Sequence, residues 1–268
     1  MDYIKYGILG TIQGITEPIP VSSSGHISLF KDIFNTDLFN SINFEIIANF
    51  GSFIAIFIIF RKDIFDLIIN FFNYLFNKEK RKEDVVKNKF RYSMYIVIST
   101  IPVIITGLLL NNILNYSSKI LAIMFLITAA MLFIVRKING AKDDFDITLK
   151  DAIVIGLFQS VAILPGISRS GAVLVACLLC KLKKENALKY TFLLYFPVSV
   201  GSMILGASDL LTSNESSLLL PYLFGAIFSF VFTYISYIWL SNWVKKGKLY
   251  YFSIYCILLA LFIFYFFR

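Results

Sequence analysis

Residues Leu9–His26 read LGTIQGITEPIPVSSSGH, and residues Ile155–Ala172 read IGLFQSVAILPGISRSGA. Laid over each other without a gap, a shift of 146 residues, the strings agree at five of eighteen positions: Gly10/Gly156, Gln13/Gln159, Ser22/Ser168, Ser24/Ser170 and Gly25/Gly171. Each begins apolar and is then interrupted. Pro18, Pro20 and Pro165 remove backbone donors and clash with the preceding turn, which ends a helix. Gly25, Gly166 and Gly171 open conformations that other residues resist. Both strings therefore predict helix, break, helix.

The flanking sequence decides where those breaks lie. Of 268 residues, 58% are hydrophobic and 16% charged, with 28 Phe. A soluble domain keeps about a quarter of its residues charged, so this composition belongs to a chain solvated by lipid. Six stretches, near 42–60, 92–114, 118–135, 187–208, 216–240 and 249–267, are apolar for long enough to cross; a hydrocarbon core of about 30 Å takes roughly 20 helical residues. Basic residues gather in alternate loops: Arg61 and Lys62, seven Lys/Arg within Lys78–Arg91, then Arg136, Lys137, Lys142 and Lys150. Lys181, Lys183 and Lys184 follow, and later Lys245, Lys246 and Lys248, whereas Asn111–Ser118 and Asp209–Pro221 have none. Placing the basic loops in the cytoplasm threads all six spans without conflict.

That threading leaves residues 2–30 beginning and ending outside and residues 151–180 beginning and ending inside, so neither crosses. The expected fold is an all-α polytopic membrane protein with about six transmembrane helices. Two re-entrant helical hairpins complete an inverted-topology repeat, in a single domain, 1–268, made of repeats 1–140 and 151–268. Ile64–Phe76 is expected as an amphipathic helix on the inner face. Lys119, Asp209, Trp239 and Trp243 read as interfacial anchors.

Several function classes fall away. The net charge of +8 is accounted for by the cytoplasmic loops, so no nucleic-acid partner is expected. The start, MDYIKYGILG, has no basic region before a clean apolar core, and no cleavable signal peptide is expected. Cys177 and Cys180 form a C-x-x-C in an apolar run without other thiol or imidazole ligands, and read as packed small hydrophobes.

The breaks carry the chemistry. Irregular backbone at membrane depth survives only where protein or water satisfies it, and helix N-termini there offer free N–H donors to an anion. Ser22, Ser24, Ser168 and Ser170, with Ser23, add hydroxyls at the same place. Arg169 suits bidentate contact with phosphate, and an ionisable residue within a membrane reads as functional. Glu17 lies one turn after Gln13, and a hard cation between carboxylate and anion reconciles their charges. Gln13, Glu17 and Glu45 are the candidate metal ligands. Glu45 reads equally as a buried structural carboxylate, and Asn49, one turn on, supports either role. His26 is the one histidine of the chain, three residues after Ser23.

The strings QGITEPIPVSSSGH and LPGISRSG, followed by TFLLYFPVSVG, resemble the bacitracin-resistance type of undecaprenyl-diphosphatase over nearly the whole chain. The resemblance implies a plasma-membrane hydrolase with its site facing outward. It would remove the terminal phosphate of a polyprenyl diphosphate with a divalent cation, Mg²⁺ or Ca²⁺, and return the monophosphate carrier to cell-wall synthesis. By motif position it implies Gln13, Glu17, Ser23, His26 and Arg169 as functional residues, with membrane lipids as surroundings and room for a homodimer. Four positions depart from the pattern: Gln13 where glutamate is common, Asn49 for a usual Gln, Val173 for Thr, and Pro18 for an aromatic residue.

The expected mechanism has Arg169 and the two helix starts holding the diphosphate. Glu17, Gln13 and Glu45 place the cation. Ser23 and His26 act as nucleophile and base if they come within hydrogen-bond reach, or else position a water. Paired broken helices are also the architecture of secondary transporters, so a carrier or flippase for an anion or lipid phosphate is the rival reading. An inactive, receptor-like homologue is a third.

Overall fold

The computed structural model describes residues 2–34, 42–110, 117–212 and 218–267, without side-chain placement for Lys31, Ile42, Leu110 and 207–212. The Asp209 side chain and parts of the two loops free of basic residues, 111–116 and 213–217, thus lie outside the described part. Among the described residues there are ten α-helices and no strand. They are α1 (Asp2–Thr16), α2 (Ser23–Phe34), α3 (Ile42–Phe76), α4 (Asp84–Leu110), α5 (Ser118–Val135), α6 (Leu149–Val161), α7 (Arg169–Leu179), α8 (Lys184–Thr212), α9 (Leu219–Lys245) and α10 (Tyr250–Phe266).

Five of these, within α3, α4, α5, α8 and α9, are long and apolar enough to cross a membrane. The sixth expected span is α10, a 17-residue helix at the short end of what a bilayer core accepts. The protein is a multi-pass membrane protein. One expectation is corrected: Ile64–Phe76 is not a separate helix on the inner face but the continuation of a 35-residue α3. Arg61, Lys62 and Asp63 are polar, yet none of them breaks a helix, and no Gly or Pro stands nearby to do so.

The interrupted segments give two pairs of short helices, α1 with α2 and α6 with α7, each pair in mutual contact. Their 15, 12, 13 and 11 residues, at about 1.5 Å each, leave every one of the four too short to span the core alone. The breaks fall at Glu17–Ser22 and Ala162–Ser168 and contain Pro18, Pro20 and Pro165.

Packing follows a pattern of exchange. Helix α1 lies on α9 and α6 on α4; α3 contacts α9 and α8 contacts α4; α3 meets α8 and α5 runs along α10. Replacing the first five helices by the last five maps this set of contacts onto itself. Helix α7 sits at the centre of the main core, with Gly171 to Leu178 all buried. Cys177 and Cys256 are buried free thiols and Cys180 is half-buried.

Small residues let α1 and α9 approach closely, as membrane helices need when lipid supplies no hydrophobic drive between them. A Cβ on Gly10 would strike the Gly225 carbonyl, and one on Gly14 would lie 2.9 Å from Phe232 Cβ. Gly10→Ala is expected to cost about 1–3 kcal/mol through overpacking, read as a lower melting temperature in detergent. Gly201→Ala is the control, since a Cβ there meets nothing within 4 Å.

Candidate active site

Both breaks end in the same capping arrangement. Ser22 Oγ accepts from Gly25 N at 3.2 Å, and Ser168 Oγ accepts from Gly171 N at 3.0 Å. A serine cap relieves a helix start of one unpaired N–H. It also places the next residue, Ser23 in one case and Arg169 in the other, at the first position of α2 or α7. The two positive helix ends therefore meet at one place, and they are tied together there. Ser22 Oγ accepts from Gly166 N at 3.1 Å, and Ser170 Oγ donates to the Glu17 carbonyl at 3.3 Å. From α5, Thr128 Oγ1 donates to the Gly166 carbonyl at 2.8 Å and accepts from Ser168 N at 3.3 Å.

Between the helix ends lies a polar cavity of about 70 Å³. It is lined by Gln13, Glu17, Ser22, Ser23, Ser24, Glu45, Asn49, Ser168, Arg169 and Ser170, with Ile27, Ala162 and Ile167. Ten of the eleven residues singled out from the sequence come together here; His26 does not line it. Within the cavity Glu17 is the hub. Its Oε2 accepts from Ser23 Oγ at 2.5 Å and from Gln13 Nε2 at 2.9 Å. The same Gln13 nitrogen donates to Asn49 Oδ1 at 2.6 Å, so Gln13 presents its amide N–H, rather than its oxygen, to Glu17. Arg169 is half-buried and makes no hydrogen bond or ion pair among the described residues.

His26 is placed differently from the sequence expectation. Its Nδ1 lies 2.7 Å from the Ser22 carbonyl and its Nε2 lies 2.7 Å from the Tyr255 hydroxyl, while the Phe125 ring meets it edge-on. Ser23 and His26 share no hydrogen bond; the hydroxyl is engaged by Glu17 instead. Ser22 has φ 68°, a left-handed conformation uncommon outside glycine, in which its own side chain turns inward to bind backbone N–H groups. Sequence reading counted Ser22 and Ser168 as phosphate donors; here their oxygens are occupied as caps. Thr128 and Tyr255 were missed altogether, and only their polar tips on apolar helices could have signalled them.

A family model described as "Bacitracin resistance protein BacA" matches residues 6–262. The chain belongs to the BacA family. Three relatives of this BacA chain carry the name undecaprenyl-diphosphatase. It is 41% identical to the undecaprenyl-diphosphatase of Oceanobacillus iheyensis over 263 residues, 96% of this chain and 94% of the relative. It is 43% identical to undecaprenyl-diphosphatase 1 of Bacillus licheniformis over 264 residues, 96% of each chain. It is 42% identical to undecaprenyl-diphosphatase 2 of Bacillus thuringiensis over 261 residues, 96% of this chain and 95% of the relative.

Proposed function

We propose that this protein is an undecaprenyl-diphosphate phosphatase of the bacterial plasma membrane, with its cavity open to the outer side, and that it regenerates the lipid monophosphate. The observation that carries this reading is the Ser23 hydroxyl bonded to the Glu17 carboxylate in a cavity that also holds the Arg169 guanidinium, which has no ion pair among the described residues. The placement of basic loops supports the outward orientation, and the exchange of packing partners supports a domain of two inverted repeats, 1–140 and 151–268. The short paired helices fit re-entrant hairpins.

Arg169 and the N-termini of α2 and α7 bind the diphosphate and stabilise charge on the transferring phosphoryl group, the main need of such reactions. Ser23 Oγ attacks the terminal phosphorus and its proton passes to Glu17. The bond to the bridging oxygen breaks, and the lipid leaves as monophosphate. Water then cleaves the phosphoserine, so that one diphosphate and one water give one monophosphate and one inorganic phosphate. Gln13 holds Glu17 in place through the same carboxylate oxygen that Ser23 bonds, and Asn49 holds Gln13.

A divalent cation fits the donor set, which is all oxygen: the Glu17 and Glu45 carboxylates, amide oxygens of Gln13 and Asn49, and hydroxyls. Among the described residues no group of three or more His, Cys, Asp or Glu is placed to hold a metal. Mg²⁺ or Ca²⁺ would therefore complete its shell from phosphate oxygens, as such ions do with one or two carboxylates. Bound there, it would neutralise the diphosphate and ease departure of the leaving group.

The lipid tail has a place as well. An apolar groove of about 400 Å³ runs between Val103, Ile104, Gly107 and Leu108 on α4 and Pro197, Val198 and Gly201 on α8, and Arg169 also lines it. It would take the isoprene units nearest the diphosphate. Gly201→Leu, which fills open space, is expected to raise KM for C55 diphosphate about tenfold with kcat within twofold, since it removes uniform binding. Purified protein that releases phosphate from C55 diphosphate with Mg²⁺ or Ca²⁺ meets the reading. No release from folded protein, with anion counterflow in liposomes, would replace it with the transporter. Crosslinking in native membranes reads the homodimer that the resemblance allows.

A further inference from the structure

We propose that Tyr255 is a positioning residue for phosphate release, acting through His26 on the turn that presents Ser23 to Glu17. The inference rests on the reaction proposed above. Its geometry starts at Ser22, whose left-handed φ of 68° persists only where surroundings hold it. Two backbone donors, Gly25 N and Gly166 N, hold its hydroxyl. The His26 ring holds its carbonyl, at 2.7 Å from Nδ1.

A carbonyl oxygen can only accept, so Nδ1 carries the proton. In the neutral ring Nε2 is then an acceptor, and the group facing it at 2.7 Å is the Tyr255 hydroxyl, which donates. The two rings are close to parallel, 5° apart, with their centroids 5.7 Å from each other. Both ring nitrogens are thus occupied and neither faces Ser23. In this arrangement the imidazole is a strut between α10 and the Ser22 turn rather than the proton acceptor for Ser23. Ser23 is the next residue, so rotation at Ser22 swings its hydroxyl off Glu17. A displacement of about 1 Å at a reacting group can cost 10²-fold in rate.

The chain has one histidine, so a ¹⁵N spectrum of histidine-labelled protein reads this ring without assignment. The wild type is expected to show Nδ1 protonated and Nε2 unprotonated but hydrogen-bonded. In Tyr255→Phe the Nε2 resonance should move to its free position, and kcat for C55 diphosphate should fall about tenfold with KM within twofold. His26→Asn keeps an N–H donor near the Nδ1 position and should also lose only about tenfold. Tyr255→Phe should add nothing in that background, because the two residues act in one chain.

An unchanged imidazole spectrum or unchanged kcat in Tyr255→Phe would overturn the proposal. So would additive losses, or a His26→Asn loss of about 10³-fold or more, the range of a missing general base. If Tyr255→Phe does not fold, as judged by its elution and melting in detergent, the His26→Asn rate decides alone. Wild-type protein that releases no phosphate would sink the proposed reaction instead, and the imidazole spectrum would still report the strut.

Discussion

Arg169→Ala is expected to lower phosphate release from C55 diphosphate by about 10³-fold or more, at saturating Mg²⁺ or Ca²⁺. A single preorganised donor aimed at developing charge is worth about 10²–10³ in rate, and an arginine on a transferring phosphoryl group about 10³–10⁵. What places Arg169 in that class is that, among the described residues, no carboxylate pairs with its charge. It stands at the first position of α7, half-buried, and makes no hydrogen bond or ion pair among the described residues. A structural arginine at such a depth would carry a carboxylate partner, because a lone charge in a membrane is costly. Arg169→Lys keeps the charge but loses the planar fork, and about 10–100-fold loss is expected, since the fork adds geometry to charge. Arg61→Ala is the control: Arg61 is exposed and its Nη1 donates to the Ile58 carbonyl. Arg169→Ala within threefold of wild type, in protein that melts normally, would remove the phosphate-binding role.

The parts of this molecule that were legible in advance are those whose causes are local. Pro18, Pro20 and Pro165 end helices whatever surrounds them, and Gly25, Gly166 and Gly171 loosen the backbone beside them. The breaks, the helix starts and the gathering of Gln13, Glu17, Ser23 and Arg169 followed from such rules. The continuity of α3 is not legible because Arg61 and Lys62 read by polarity as the end of a span, although helix propensity runs straight through them and Asp63. Asp63 is in fact paired with Lys189 of α8 at 2.8 Å, a contact that no local pattern announces. The direction of the Ser22 side chain was illegible for a different reason. A serine supplies either a donor to phosphate or an acceptor to backbone, and its left-handed φ decides between them. Tyr255 lies 229 residues from His26 in sequence, on a helix whose other residues are almost all apolar. Its role exists only after the fold brings α10 beside α2.

The second large effect separates Ser23 as nucleophile from Ser23 as a mere ligand. Glu17→Gln and Ser23→Ala are each expected to lower kcat by about 10³-fold, within the range for loss of general-base or nucleophilic function. The double variant should be no worse than the poorer single one, since residues that act as a unit are grossly non-additive. The contact at 2.5 Å between Ser23 Oγ and Glu17 Oε2 is the reason to expect a unit: the hydroxyl proton already faces the group that would receive it. Glu17→Gln also exposes what Gln13 does. The Gln13 amide donates to Glu17 and to Asn49, and an amide at position 17 still offers it a carbonyl oxygen, so the variant keeps the network while it loses the base and one negative charge beside the cation. Loss of activity with an unchanged melting temperature is therefore expected of Glu17→Gln, whereas Gln13→Leu should lower both. In acid-quenched turnover with ³²P-labelled substrate, label should appear on Ser23 in the wild type and be absent from Ser23→Ala. Near-normal turnover by Ser23→Ala would rule out covalent transfer and leave Glu17 activating a water. Additive losses in the double variant would assign the two residues to separate steps, with the carboxylate acting on the bound phosphate or its cation rather than on the serine.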